Sequence, residues 1–260
     1  MDKKVILISI DGMRPDGVQA CGNPFVEELK QLGSWTMDAA SVIPSVTLPC
    51  HMSIFHSVPP SRHGITTNTY IPPVRPLPGL FEQIHHAGKT AAMFYGWEPL
   101  RDVARPMSLL TAEFLWAYAL PHTDGLLTDR ALRSIRELKQ DFVFLYMVET
   151  DEKGGHDHGW MTPEYLEYVS CGIDNVKRVL QEVGEDYTVI VTADHGGHDR
   201  AHGTELPEDM TIPMFFIGPD FRPGQELHGL SLLNLAPTIA DLMGVPRARE
   251  WEGTSVLENH

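Results

Sequence analysis

Three short stretches combine carboxylates and imidazoles at spacings that suit a metal centre. In "TADHGGHDRAHG" (192–203), Asp194 and His195 follow an apolar run, and His198 and His202 lie in the glycine-rich turn behind them. Carboxylate oxygen and imidazole nitrogen are donors suited to zinc and similar divalent ions. The same histidines could instead cap the backbone carbonyls of a polar loop. "ETDEKGGHDHGW" (149–160) sets Asp151 and His156 at i and i+5 across two glycines, with His158 as an alternative donor. Glycine lets the chain fold back so that both side chains meet one ion; the plainer reading is a solvated acidic loop. In "ISIDGMRPD" (8–16), Asp11 closes an apolar run. It could equally begin an Asp-Gly turn, with Asp16 capping a helix.

A possible nucleophile comes from "SVIPSVTLPCHMSIF" (41–55), where Thr47 stands at the mouth of a helical pattern with Pro49 just behind it. A threonine there can cap the helix, its hydroxyl accepting an unpaired backbone N–H. It can also be a nucleophile held where the positive end of a helix binds an anion. Three acidic groups a few ångströms apart in a partly dry cleft strongly disfavour ionisation. Two divalent ions remove that conflict, and a pair about 4 Å apart can bind both the attacking oxygen and a phosphoryl oxygen of an in-line displacement.

The elements that must position these residues follow from hydrophobic pattern. "KVILISI" (4–10), "TAAMFYG" (90–96), "DFVFLYMVE" (141–149), "YTVIVTAD" (187–194) and "TIPMFFIG" (211–218) are near-continuous apolar runs, as expected of strands buried on both faces. Between them, residues 23–33, 79–88, 124–139, 162–184 and 232–244 carry apolar residues at helical spacing, several ending on glycine. Alternating strands and helices predict an α/β fold, a three-layer sandwich with a mostly parallel central sheet flanked by helices. In such a sheet ligands bind beyond the carboxyl ends of the strands, so Asp11, Asp151 and Asp194, each at a strand end, are delivered to one place. A length of 260 residues without a linker-like break predicts one domain over 1–260.

Bulk composition narrows the partners. A formal net charge of −15 argues against a nucleic-acid duplex as partner. It is compatible with a small phosphorylated substrate, because bound cations reverse the local field. Cys21, Cys50 and Cys171 form no CxxC pair, and the start "MDKKVILISIDG" reads as a first strand rather than a leader. No stretch is long and apolar enough to span a bilayer, and the cytoplasm is the expected location.

In order along the chain, "DGMRPD" (11–16), "TLPCHMSIFHSVPPSRHGITTN" (47–68), "TDEKGGHDHG" (150–159), "TADHGGHDRAHG" and "TIPMFFIG" resemble the alkaline phosphatase superfamily. They resemble most its type I phosphodiesterase and nucleotide pyrophosphatase branch. The resemblance implies an alkaline-phosphatase-like fold and two zinc ions, manganese being the alternative in carboxylate-rich sites. It assigns Asp11, Thr47, Asp194 and His195 to one ion, and Asp151, His156 and His202 to the other. Thr47 would carry a covalent phospho-enzyme intermediate, and Asn68 would hydrogen-bond a non-bridging phosphate oxygen. The implied activity is hydrolysis of a phosphodiester or pyrophosphate. Alternatives are a phosphomonoesterase or phosphonate hydrolase on the same metals, and a non-catalytic module binding a phosphorylated ligand.

The sequence departs from the family pattern in three places. The Asp151–His156 spacing is one residue longer than the usual i, i+4, Cys50 stands where asparagine is common, and large cap insertions are missing. Thr47 lacks the Cys-x-Pro-x-Arg context of sulfatases, and the chain lacks room for the inserted domain of cofactor-independent phosphoglycerate mutases. Trp97 and Trp116 are candidates for either a substrate wall or the core.

Overall fold

The apolar runs form a single sheet in the computed structural model, which describes residues 3–259. Its strands are β1 (Lys4–Ile10), β2 (Ser34–Ala40), β3 (Ala91–Tyr95), β4 (Thr111–Phe114), β5 (Phe142–Met147), β6 (Tyr187–Thr192) and β7 (Thr211–Ile217). They lie in the order β2-β7-β6-β1-β5-β3-β4. β1 is central and parallel to both neighbours, with Ile6 opposite Val143 on β5 and Val189 on β6. Every residue of β5 and β6 is buried, which is why these strands read as unbroken apolar runs.

Two strands were not expected from pattern. β2, "SWTMDAA", alternates buried with half-buried or exposed positions, and β4 is four residues at the sheet edge whose side chains are all at least partly exposed. Neither can be an unbroken apolar run. β7 is antiparallel to β6 and β2. Residues 193–210 stay at the edge where β6 ends, so the chain can only run back.

The helices are α1 (Pro15–Ala20), α2 (Phe25–Leu32), α3 (Thr47–His56), α4 (Pro60–His63), α5 (Leu80–His86), α6 (Thr123–Leu138), α7 (Pro163–Val183), α8 (Pro207–Met210) and α9 (Leu235–Met243). α7 packs on α1, α2 and α6, while α3 packs on α4, α5 and α9, giving the two helical layers of the expected sandwich. All ten residues of α3 are buried, so this helix can be placed only by being surrounded.

Burial of α3 also takes histidines out of water. His56 Nδ1–H donates to the Met52 carbonyl at 3.0 Å. His63 Nδ1 accepts the Ile65 N–H at 3.1 Å, which leaves Nε2–H to donate to Ser53 Oγ at 3.1 Å. Burial pushes both imidazoles from the usual 6.5 down to about 4. Between those values the unfolded chain takes up protons that the folded chain refuses. Stability is therefore fully present above pH 6.5 and falls with acid, by up to about 1.4 kcal/mol per pH unit for each histidine. Urea denaturation at pH 7 and pH 5 checks this: wild type is expected to lose more stability than a His56→Asn/His63→Asn double variant, and an equal loss would contradict it.

Candidate active site

Because β6, β1 and β5 are neighbours, their carboxyl ends lie side by side at one edge of the sheet, about 4.8 Å apart. Asp11 is the residue after β1, and its N–H extends the ladder by donating to the Met147 carbonyl at 2.9 Å. Asp194 follows β6 and Asp151 follows β5. The Gly12 N–H reaches Asp194 Oδ1 at 3.3 Å, tying the first two strand ends together.

Asp151 and His156 sit on a turn with π pitch, Thr150–His156. A π turn closes i→i+5 bonds, so one residue inserted into an α-helical turn stacks i over i+5. That accounts for the spacing of five: His156 Nε2 lies 3.4 Å from Asp151 Oδ2, while His158 is exposed. The segment, on its plainer reading a solvated acidic loop, is instead a helical turn with Asp151 buried. Two buried carboxylates anchor its entrance. Asp124, in the first turn of α6, accepts the Val148 and Glu149 N–H groups at 2.9 and 3.0 Å, and Glu149 accepts those of Thr123 and Asp124 at 3.0 and 3.2 Å.

Around this edge, His195 Nε2 is 3.2 Å from Asp11 Oδ1, 3.5 Å from Asp194 Oδ2 and 3.2 Å from Thr47 Oγ1. His202 Nε2 is 3.9 Å from Asp151 Oδ1, and its ring stacks on His195 with centroids 3.9 Å apart. Among the described residues, two donor sets have all ligand atoms within 4.8 Å of one another: Asp11, Asp194 and His195, and Asp151, His195 and His202. His195 bridges them. The structure therefore brings together Asp11, Thr47, Asp151, His156, Asp194, His195 and His202.

The imidazoles share one orientation. His156, His195 and His202 each place Nδ1 against a backbone carbonyl, of Arg200, Gly196 and Ser45, at 3.0, 2.8 and 2.9 Å. A carbonyl only accepts, so Nδ1 carries a proton and Nε2 is the ring atom turned toward the carboxylates, the orientation that metal-binding histidines adopt.

The carboxylates are buried and incompletely satisfied. Among the described residues, Asp11 Oδ1, Asp151 Oδ1 and Asp194 Oδ2 have no hydrogen-bond partner. Burial, then the charges of Asp194 and Asp151, push the Asp11 carboxyl well above the usual range. Burial moves Asp151 to about 6. Burial also acts upward on Asp194, but His195 and His51 outweigh it and hold that carboxyl below its ordinary value. Burial, then the neighbouring His195, takes His202 down to about 3, so it stays a neutral donor. Buried carboxylate oxygens without hydrogen-bond partners, facing three imidazole Nε2 atoms, fit divalent cations.

Thr47 is not the cap of α3. The N-cap is Val46, which offers no side-chain bond, and Thr47 occupies the first helical position with its hydroxyl toward His195. Asn68 reaches across from the following loop, and its Oδ1 accepts the Leu48 N–H at 3.0 Å. Thr47, Asn68, Asp11, Asp151, His156 and His202 line a cavity of about 50 Å³, together with Tyr146, Glu152 and Trp97.

Other candidates went elsewhere. His198 pairs with Asp209 at 2.7 Å. Asp16 pairs with Arg14 instead of capping α1. Cys50 is buried with Sγ 3.3 Å from Ser41 Oγ, a small filler turned from the cavity. Trp116 is exposed. His51, missed in the sequence, supports the site from behind: Nδ1 lies 2.8 Å from the Thr47 carbonyl and Nε2 3.2 Å from Ser9 Oγ.

Comparison with known proteins gives the family and the fold. The family described as type I phosphodiesterase / nucleotide pyrophosphatase matches residues 5–207, and the chain belongs to it, within the alkaline phosphatase superfamily. It is 25% identical over 218 residues to ectonucleotide pyrophosphatase/phosphodiesterase family member 1 of Rattus norvegicus, covering 74% of this chain and 24% of that one. The chain thus spans about a quarter of the length of that curated relative. Murine ectonucleotide pyrophosphatase/phosphodiesterase 5, an inactive variant in complex with AMP, has the same fold, with a TM-score of 0.82 at 13% identity over 99% of this chain and 98% of that one. A 2-O GAG sulfatase superposes with a TM-score of 0.80 at 16% identity, over 100% and 74%.

Because Asp11 is held above its ordinary value, the folded metal-free protein loses stability as pH rises past the unfolded carboxyl value of 3.8. Metal-free Asp11→Asn, which keeps an acceptor for Tyr146, is expected to be more stable than metal-free wild type in urea at pH 8 by about 1–3 kcal/mol. With saturating zinc the order should reverse, since wild type gains the binding energy. A variant less stable than wild type without metal would contradict the strain assigned to Asp11.

Proposed function

We propose that this chain, one domain over 1–260, is a metal-dependent phosphoric ester hydrolase acting on a phosphodiester or pyrophosphate bond of a small substrate, with Thr47 as nucleophile. The observation that carries the reading is the convergence of three carboxylates, each with a partnerless oxygen, and three inward Nε2 atoms beside the Thr47 hydroxyl. Asp11, Thr47, Asp194 and His195 would hold one ion, and Asp151, His156 and His202 a second. Zinc suits this mixture of oxygen and nitrogen donors, and manganese is the harder alternative. When bound, the ions neutralise the buried carboxylates, acidify the threonine hydroxyl and draw off phosphoryl charge.

Thr47 Oγ1 attacks phosphorus as the ester bond to the leaving group breaks, and the leaving alcohol or phosphate departs with a proton. Water then cleaves the phosphothreonine, restoring the hydroxyl and releasing the phosphorylated product. Asn68, its Oδ1 taken by Leu48 N–H, has Nδ2 left to donate to a non-bridging oxygen. The positive end of α3 favours the same anion. Among the described residues no helix is long and apolar enough to cross a membrane, and Cys21, Cys50 and Cys171 are free. The free thiols support a reducing compartment, the cytoplasm, as the place of action.

Turnover of bis-p-nitrophenyl phosphate, p-nitrophenyl phosphate and phosphonoacetate ranks diester, monoester and phosphonate chemistry, the diester being expected to lead. Chelation should abolish turnover and zinc restore it. Thr47→Ala is expected to lose at least about a thousandfold in kcat with zinc retained. Full activity in that variant would overturn the nucleophile, and a wild type inert towards all three esters would favour a binding module.

A further inference from the structure

Trp160 is buried, and no step above uses it. Its ring touches each loop that carries a candidate ligand. Nε1–H donates to the Gly12 carbonyl at 2.9 Å, one residue beyond Asp11. On the π turn the ring lies against Gly155, between Asp151 and His156, where a Cβ would fall 2.5 Å from Cζ2. It also lies against Gly197, between His195 and His202, where a Cβ would fall 2.2 Å from Cε2. The same ring meets His156 edge-on at 5.3 Å and His202 at 6.0 Å between centroids. Gly155 and Gly197, neither with room for a methyl group beside the same indole, form the slot that seats the ring and set how closely the two loops approach it.

We propose that Trp160 is a positioning residue that sets the separation of the three ligand loops, and thereby the metal affinity of the donor set Asp151, His156 and His202. The inference rests on the two-ion reading above. Phenylalanine at 160 keeps a ring in the slot but loses the bond to Gly12 and the far edge of the indole. The loops then drift relative to one another, and the set built across two of them loses more than Asp11, Asp194 and His195, which the adjacent β1 and β6 hold directly.

The test is a competition titration of metal-free protein with zinc against a chromophoric chelator, following tryptophan emission in parallel. Wild type is expected to bind two ions. Trp160→Phe should bind one with unchanged affinity and the other at least about tenfold more weakly, since altered support around metal ligands costs 10–100-fold. Its kcat at saturating zinc should recover towards wild type with KM for the ester unchanged. The zinc-induced emission change should lose the component due to Trp160. Gly155→Ala, whose methyl group pushes on the ring while leaving Trp160 in the sequence, should weaken the same ion and serves if Trp160→Phe does not fold. Two ions bound as tightly by either folded variant as by wild type would overturn the role of Trp160 alone, and a wild type that takes up no zinc would overturn the metal reading beneath it.

Discussion

Three buried carboxylates are forced against one another because the strands that carry them, β6, β1 and β5, are consecutive in the sheet. Asp11, Asp151 and Asp194 each keep an oxygen without a hydrogen-bond partner, in surroundings that penalise charge. A fold does not keep such an arrangement for its own stability, since like charges in a dry pocket cost several kcal/mol until something positive joins them. The rest of the site is organised around that conflict. Three histidines are held by Nδ1 bonds to carbonyls in the orientation that presents Nε2, and Thr47 is set at the first position of a wholly buried helix.

The support for these groups is mostly backbone. Each candidate ligand histidine is oriented by a carbonyl, the entrance to the π turn is held by four N–H bonds to the Asp124 and Glu149 carboxylates, and Asn68 secures the start of α3. Such contacts fix direction without adding charge to the pocket. Lys153 illustrates the economy: instead of facing the cavity, it pairs with Glu149 at 2.5 Å and offsets the buried carboxylate there.

The central strands were legible because both faces are buried, so the sequence is apolar without alternation; the three clustered carboxylates were legible because Asp11, Asp151 and Asp194 each lie shortly beyond such a run. β2 and β4 were hidden by half-exposed edges, and the reversal of β7 depends on where a long loop ends. The π turn could be counted as an odd spacing but not seen as a helix, since hydrogen-bond pitch leaves no mark in residue types. Thr47 looked like a cap because caps and nucleophiles share the same chemistry at a helix start, and only the approach of His195 separates them. His51 and Trp160 act through shape, and a lone histidine or tryptophan in a sequence carries no sign of what surrounds it.

Cations are proposed to fill the gap between the buried acids, and diffraction at the zinc absorption edge from crystals grown with zinc examines that directly. The account predicts two anomalous peaks about 4 Å apart, one among Asp11, Thr47, Asp194 and His195 and the other among Asp151, His156 and His202. A map without density at either position, with the three carboxylates sharing protons among themselves, would contradict it.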